Sequence, residues 1–346
     1  MTKTNALTMH LDQFNKDLKR FLEGNLCGEK KFSASLFRAT IDYAALRGKR
    51  LRPLLFIACY HALGGKRDVF PLGIAIELLH TSSLIHDDIM DEDDTRNNIP
   101  SVHRAAEDWI AANKKSLSGN GKGRLFRGQG ARIGAGSAII CGNLMFTLGI
   151  QSVLSFKCND CRTTELVKLY TEAYRNLNEG QLFDVSSEML DEFSARDYWQ
   201  MVEKKTAVLF TLAYDMAAAV TGRSLSRLGS TVRDLGLAFQ LVDDLLDLDP
   251  DKEKGRVSGR ALPLKKRTLL RLYTEEKAGK LPDRADAIRK VMIAEGSVER
   301  VAGEAEALIR KAMDSLRRSG IKSQLQEPFE EWAGLLQGKI EKSRSL

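Results

Sequence analysis

The chain is poor in what breaks helices and in what builds sheets. Seven prolines are spread thinly over 346 residues, and aromatic residues make up only 7%. Period-two alternation of apolar and polar residues is scarce, while Ala/Leu-rich stretches are long. These lacks exclude a β-rich architecture and leave an all-α fold. Apolar runs of bilayer length are lacking as well: residues 207–220, AVLFTLAYDMAAAV, are interrupted and too short to span. The N-terminal MTKTNALTMHLDQF has no apolar signal core. The five cysteines, Cys27, Cys59, Cys141, Cys158 and Cys161, are odd in number. That excludes a full disulfide framework and points to reduced thiols in a soluble, cytoplasmic protein. Cys158 and Cys161 form a lone CxxC without a second pair, so a loop or helix end is the plainer reading than a metal site. No nucleic-acid-binding signature accompanies the net charge of +7. The basic excess therefore suits anionic small ligands or a peripheral contact with lipid headgroups. No linker rich in Gly, Pro or Ser divides the chain, and residues 1–346 read as a single domain.

Acids, by contrast, are concentrated. The apolar stretch 73–85, GIAIELLHTSSLI, runs into Asp87-Asp88-Ile89-Met90-Asp91, and six acids fall within residues 87–94. On a helix Asp87 and Asp91 share a face, with Asp88 about 100° round. Two carboxylates about 4 Å apart repel by about 4 kcal/mol at an effective dielectric near 20, and a helix C-terminus disfavours negative charge further. Such a cluster calls for cations, and hard oxygen ligands suit Mg²⁺. A solvated acidic turn is the plain alternative for one such cluster, but the device recurs 156 residues later. Asp243-Asp244-Leu245-Leu246-Asp247 follows LGLAFQLV, with Gln240 one turn before Asp243. Two aspartate-rich helix ends facing each other across a bundle would hold several Mg²⁺ ions against a polyanionic leaving group.

Basic residues are grouped too. Gly48-Lys49-Arg50-Leu51-Arg52-Pro53 leads into the apolar LLFIA, which sets three cations at a helix N-terminus, an anion site. Residues 112–132 are basic and Gly-rich, and read as a loop insertion. The charged segments after residue 264 read as amphipathic helices packing on the outside.

With the two DDxxD motifs and GKRLRP, the chain resembles the trans-isoprenyl diphosphate (polyprenyl) synthases, in particular those of the geranylgeranyl diphosphate synthase type. Further matches follow in the family's order: His80, Arg96, the Gly180-Gln181-Leu182-Phe183-Asp184 stretch, and Lys205-Thr206. The resemblance implies a helical bundle around an apolar cavity, a homodimer, and head-to-tail condensation of isopentenyl diphosphate with an allylic diphosphate. It implies Mg²⁺, three ions per site with substrate bound, on Asp87, Asp91 and Asp243, with Asp88, Asp244 and Asp247 orienting the metals directly or through water. Lys49, Arg52 and His80 would take isopentenyl diphosphate. Arg96, Lys205 and Arg256 would clamp the allylic diphosphate, and Arg260 is a further candidate. Thr206 and Gln240 would face the allylic cation with oxygen dipoles, and Gln181 and Asp184 would orient a lysine or water. Asn97 departs from the pattern, because the family usually has a second arginine there. The growing chain would run down the helix before the first motif, where Ser82 and Ser83 are both small, so the expected main product is C20, with C25 or longer within reach. Two rivals follow from the same residues. A class I terpene cyclase shares one DDxxD but would lack the Lys49/Arg52/His80 group. A non-catalytic partner subunit would explain Asn97 and the altered 255–263 loop.

Overall fold

The computed structural model describes residues 9–45, 49–114, 126, 128–187, 189–190, 192–249, 266–282 and 284–345. Its first six helices are α1 (Leu11–Asn25), α2 (Lys31–Ala44), α3 (Leu51–Ala62), α4 (Phe70–Met90), α5 (Val102–Asn113) and α6 (Gln129–Ser155). There follow α7 (Asp160–Ser187), α8 (Ala195–Val202), a π-helical turn (Glu203–Ala207), α9 (Val208–Thr221) and α10 (Ser226–Leu246). The chain ends in α11 (Leu269–Ala278), α12 (Ala285–Ala294), α13 (Ser297–Arg317) and α14 (Ser323–Arg344). The all-α expectation holds. Among the described residues the one sheet is a two-stranded antiparallel ladder, β1 (Thr95–Arg96) with β2 (Ile99–Pro100). Most of the basic insertion at 112–132 and the 250–265 segment, with Arg256 and Arg260, lie outside the described residues.

Helix α4 is the axis. It lacks charge for its first seven residues, is buried on nearly all sides from Leu72 to Ser82, and packs mainly on α6. A helix apolar all round has to lie inside, because no face of it suits water. Helix α6 runs antiparallel to it: Ser152 donates to the carbonyl of Pro71 at 2.7 Å, and His86 meets the carbonyl of Ile139 at 3.2 Å. Helix α6 is long and apolar enough by composition to cross a membrane, which corrects the expectation drawn from the sequence, and half of that stretch is buried within the fold.

The C-terminal helices correct a second expectation. Rather than coating the outside, α13 packs along α10, and α14 drives Trp332 and Phe329 into the core. The Trp332 ring stacks on Phe210 of α9 with centroids 5.0 Å apart. Their polar faces made them look peripheral, yet each carries one apolar stripe that the bundle buries.

Candidate active site

Helices α2, α3, α4, α7, α10 and α14, the π-turn and the hairpin converge on a cavity of about 830 Å³. Asp87 and Asp91 enter it from the end of α4, and Asp243 and Asp247 from the end of α10. The two motifs therefore share one cavity, as the sequence implied.

The first motif is braced by cations. Gln181 donates to Asp87 Oδ1 at 2.8 Å, and the Lys205 ammonium lies 3.3 Å from the same oxygen and 2.5 Å from Asp184. The Lys266 ammonium sits 2.7 Å from Asp91 and 3.9 Å from Asp184. Burial pushes the Asp87 carboxyl up, but Lys205, Lys266 and Arg96 outweigh it and hold the group below the usual range. Burial and the neighbouring Asp87 push Asp91 up, against the pull of Lys266. Asp184 thus orients a lysine, whereas Gln181 bonds to Asp87 itself.

Asp88 departs from expectation. It is fully buried and does not line the cavity. Tyr43 of α2 donates to its Oδ2 at 2.7 Å, and Arg96 Nε donates to its Oδ1 at 2.8 Å. Being about 100° round from Asp87, Asp88 points into the protein and holds Arg96 rather than facing the metal side. Asp244 does line the cavity, but Tyr198 of α8 donates to its Oδ2 at 2.6 Å and Gln240 Nε2 to its Oδ1 at 2.8 Å. Burial without a cation partner lifts the Asp244 carboxyl to about 7. The Gln240 carbonyl oxygen accepts from the Thr206 hydroxyl at 2.6 Å.

The basic wall comes from GKRLRP and the hairpin. Lys49 and Arg52 line the cavity. Arg50, in left-handed backbone with φ 46°, turns back: it pairs with buried Glu77 and donates to Asn15 at 2.9 Å. Arg50, though also in the cavity lining, is thus taken up by Glu77 and ties α3 to α4. Arg52 lies over the rings of Phe210 and Phe239 at 4.8 and 5.6 Å, an arrangement favourable to a guanidinium. Burial pulls its pKa down to about 10, and its buried Nε has no hydrogen-bond partner. A buried guanidinium N–H without a protein partner can be satisfied by an anion oxygen. Arg52 Nη1 donates to His80 Nε2 at 3.0 Å. Burial, then Arg52, Arg96 and Arg50, keep His80 neutral, so His80 serves as an acceptor that orients Arg52.

Asn97 and Asn98 have φ of 49° and 63°, and they are the two loop residues of the β1–β2 hairpin. Left-handed backbone at both positions is a type I′ turn, where asparagine is favoured. Asparagine at both positions therefore suits the turn that projects Arg96.

The π-turn carries Lys205 and Thr206. An extra residue in a helix re-aims its side chains, and here Lys205 and Thr206 line the cavity while Lys204 pairs with Glu179 on the surface at 2.7 Å. Gly180 makes room, since a Cβ there would lie 2.5 Å from the Lys205 amide nitrogen.

Four contributors were missed in the sequence: Tyr43, Tyr198, Lys266 and Lys339. Lys266 had a signal, Lys265-Lys266-Arg267-Thr268 ahead of an apolar helix, but the basic pair was sought earlier, at Arg256 and Arg260. Lys339 of α14 lines the cavity, its ammonium 5.7 Å from the Phe239 ring that Arg52 also covers. Ser83 and Leu84 line the cavity below the first motif; Ser82 does not, and its buried hydroxyl has no partner. Among the described residues no three His, Cys, Asp or Glu side chains converge on one point. A cation held by either motif would complete its shell with water or anionic substrate oxygens, which suits Mg²⁺. The lysine ammonium groups against Asp87, Asp91 and Asp184 mark where positive charge is accommodated, so the donor set fits the metal.

An all-α bundle with two aspartate motifs across one cation-ringed cavity has the form of an isoprenoid synthase. The family model described as polyprenyl synthetase matches residues 34–303, and the chain belongs to that family. A geranylgeranyl diphosphate synthase of Methanosarcina mazei is 30% identical over 251 residues, 71% of this chain and 69% of the relative. The solved geranylgeranyl pyrophosphate synthetase of Pyrococcus horikoshii superposes with a TM-score of 0.75 at 26% identity, over 96% of each chain. A geranylgeranyl pyrophosphate synthase of Corynebacterium glutamicum, solved with isoprenyl diphosphate and magnesium, shares the fold with a TM-score of 0.78 at 22% identity, over 95% of this chain and 99% of its own.

Proposed function

We propose that this protein is a trans-prenyltransferase that condenses isopentenyl diphosphate head-to-tail with an allylic diphosphate, giving a C20 all-trans prenyl diphosphate as its main product. The observation that supports this best is that Asp87, Asp91, Asp243 and Asp247 line one cavity together with Lys49, Arg52, Arg96 and Lys205. Asp87, Asp91 and Asp243 would hold Mg²⁺, three ions with substrate bound by the family resemblance, with Asp247 completing the second motif; the metal supplies Lewis-acid charge to the departing diphosphate.

The residues divide the remaining work. Lys205, Lys266 and Arg96 add fixed positive charge where the leaving group gains negative charge, which favours the transition state over the ground state. Lys49 and Arg52 take the diphosphate of isopentenyl diphosphate, with His80 holding Arg52 in place. Asn97 brings no charge, and Lys339, over the same ring as Arg52, stands in for it. The Thr206 hydroxyl donates its hydrogen bond to Gln240 Oε1, which leaves its oxygen lone pairs for the allylic cation. Leu177, Met201, Val202, Leu209 and Phe239 on the cavity wall exclude water that would quench that cation. The small side chain of Ser83 in the wall below Asp87 supports elongation past C15. The five cysteines are free, which supports a reducing, cytoplasmic setting.

The test is incubation with isopentenyl diphosphate and C5, C10 or C15 allylic primers, with and without Mg²⁺, and products read by chain length. Mg²⁺-dependent elongation to C20 is expected. Only C15 product would overturn the chain-length reading. Cyclic hydrocarbon without isopentenyl consumption would indicate a cyclase, and no turnover with any primer would indicate a partner subunit.

A further inference from the structure

The two aspartate motifs are built alike around their middle acids. In each, the middle acid follows the first metal-side acid, is buried, and takes a tyrosine hydroxyl from another helix. Tyr43 reaches Asp88 at 2.7 Å and Tyr198 reaches Asp244 at 2.6 Å, and the tyrosines are 2% and 1% exposed. The second oxygen of each carboxylate accepts from a side chain that lines the cavity: Arg96 on Asp88, Gln240 on Asp244. A carboxylate whose two oxygens are both engaged by protein donors is poorly placed to bind a cation directly. Its geometry suits aiming its own partner.

We propose that Tyr43 and Tyr198 are positioning residues, and that Asp88 and Asp244 act as buried posts on which they hold Arg96 and the Gln240–Thr206 pair. The inference rests on the prenyl-transfer reading of the site. The two posts differ in what they aim. Tyr43–Asp88 fixes a guanidinium whose Nη2 also lies 3.7 Å from Asp87, so it governs how the allylic diphosphate is gripped. Tyr198–Asp244 fixes an amide. With Gln240 Nε2 committed to Asp244, its Oε1 must face Thr206, and the Thr206 hydroxyl must donate to it. That polarity turns the threonine lone pairs to the cavity, where they bear on the cation and not on diphosphate binding. If the post were lost, Gln240 would be free to flip and Thr206 would lose its fixed direction.

The experiment compares Tyr43→Phe, Tyr198→Phe, Asp88→Asn, Thr206→Val and Asp87→Asn in the full chain. Each receives steady-state kinetics with both substrates, Mn²⁺ binding by electron paramagnetic resonance with an allylic thiodiphosphate, and a thermal unfolding curve. Tyr43→Phe and Asp88→Asn are expected to raise the allylic KM about tenfold with kcat within about threefold. Tyr198→Phe and Thr206→Val are expected to lower kcat about tenfold with both KM values within about threefold. The tyrosine variants should keep Mn²⁺ affinity within about threefold, while Asp87→Asn loses it. Tyrosine variants that lose Mn²⁺ as Asp87→Asn does would overturn the inference, as would kinetics indistinguishable from the parent. If Tyr198→Phe does not fold, Asp244→Asn, given the same measurements, decides the second post, as Asp88→Asn decides the first. Parent protein that binds neither Mn²⁺ nor the thiodiphosphate would overturn the reading of the site itself. The inference fails separately only where the parent is active.

Discussion

Lys266 is the site residue most open to a direct test. Its ammonium touches Asp91 and lies near Asp184, and those acids raise its pKa against the opposing effect of burial. A charge-assisted contact of this kind is worth about 1.5–3 kcal/mol. Lys266→Ala should therefore cut kcat/KM for the allylic substrate by about 10- to 100-fold with an unchanged circular dichroism spectrum; activity within about twofold of the parent would remove Lys266 from the site. At this scale the sequence displayed the residues that carry charge in a motif. It did not display Tyr43 and Tyr198, because a buried hydroxyl that meets an acid 45 or 46 positions away leaves no local pattern.

Among the elements, the aspartate-bearing helices were legible because apolar runs end abruptly in acids. The π-turn and the hairpin were not. A π-turn differs from an α-helix by one residue of hydrogen-bond register, and nothing in Glu203-Lys204-Lys205-Thr206-Ala207 announces it. Asn97-Asn98 did carry a turn signal, but beside a family pattern it read as a missing cation. The contact between α7 and the π-turn can be tested through Gly180. An added Cβ would meet the backbone of Lys204 and Lys205, and backbone cannot swing aside as a side chain can. Gly180→Ala should destabilise by about 1–3 kcal/mol and lower kcat by displacing Lys205. A Gly180→Ala protein with full activity and an unchanged urea midpoint would show that the two segments have slack.

For the whole molecule, the surface of α6 presents a problem that a monomer does not solve. Ile140, Asn143, Thr147, Gln151 and Leu154 are all exposed, spaced three or four apart along one face of a helix otherwise buried against α4 and α5. On neighbouring α7, Leu182 is 71% exposed, and Met189, just past its end, is 81% exposed. Scattered exposed leucines need no partner, but Ile139, Ile140 and Leu154 of α6 and Leu182 of α7 expose large apolar side chains on two packed helices, a surface of the kind that marks an interface. A stable homodimer needs about 800 Å² per subunit, which two long helices can supply. Helix α7 also carries Gln181 and Asp184 into the cavity, so covering its outer face would also stiffen the brace behind Asp87 and Lys205. Sedimentation at micromolar concentration should therefore give twice the 38.6 kDa chain mass. Ile140→Lys combined with Leu182→Lys should yield monomer with the same helical content and reduced kcat. A parent protein that sediments as a monomer, or a double variant that remains dimeric, would move the interface elsewhere and leave the exposed face of α6 and α7 for another partner.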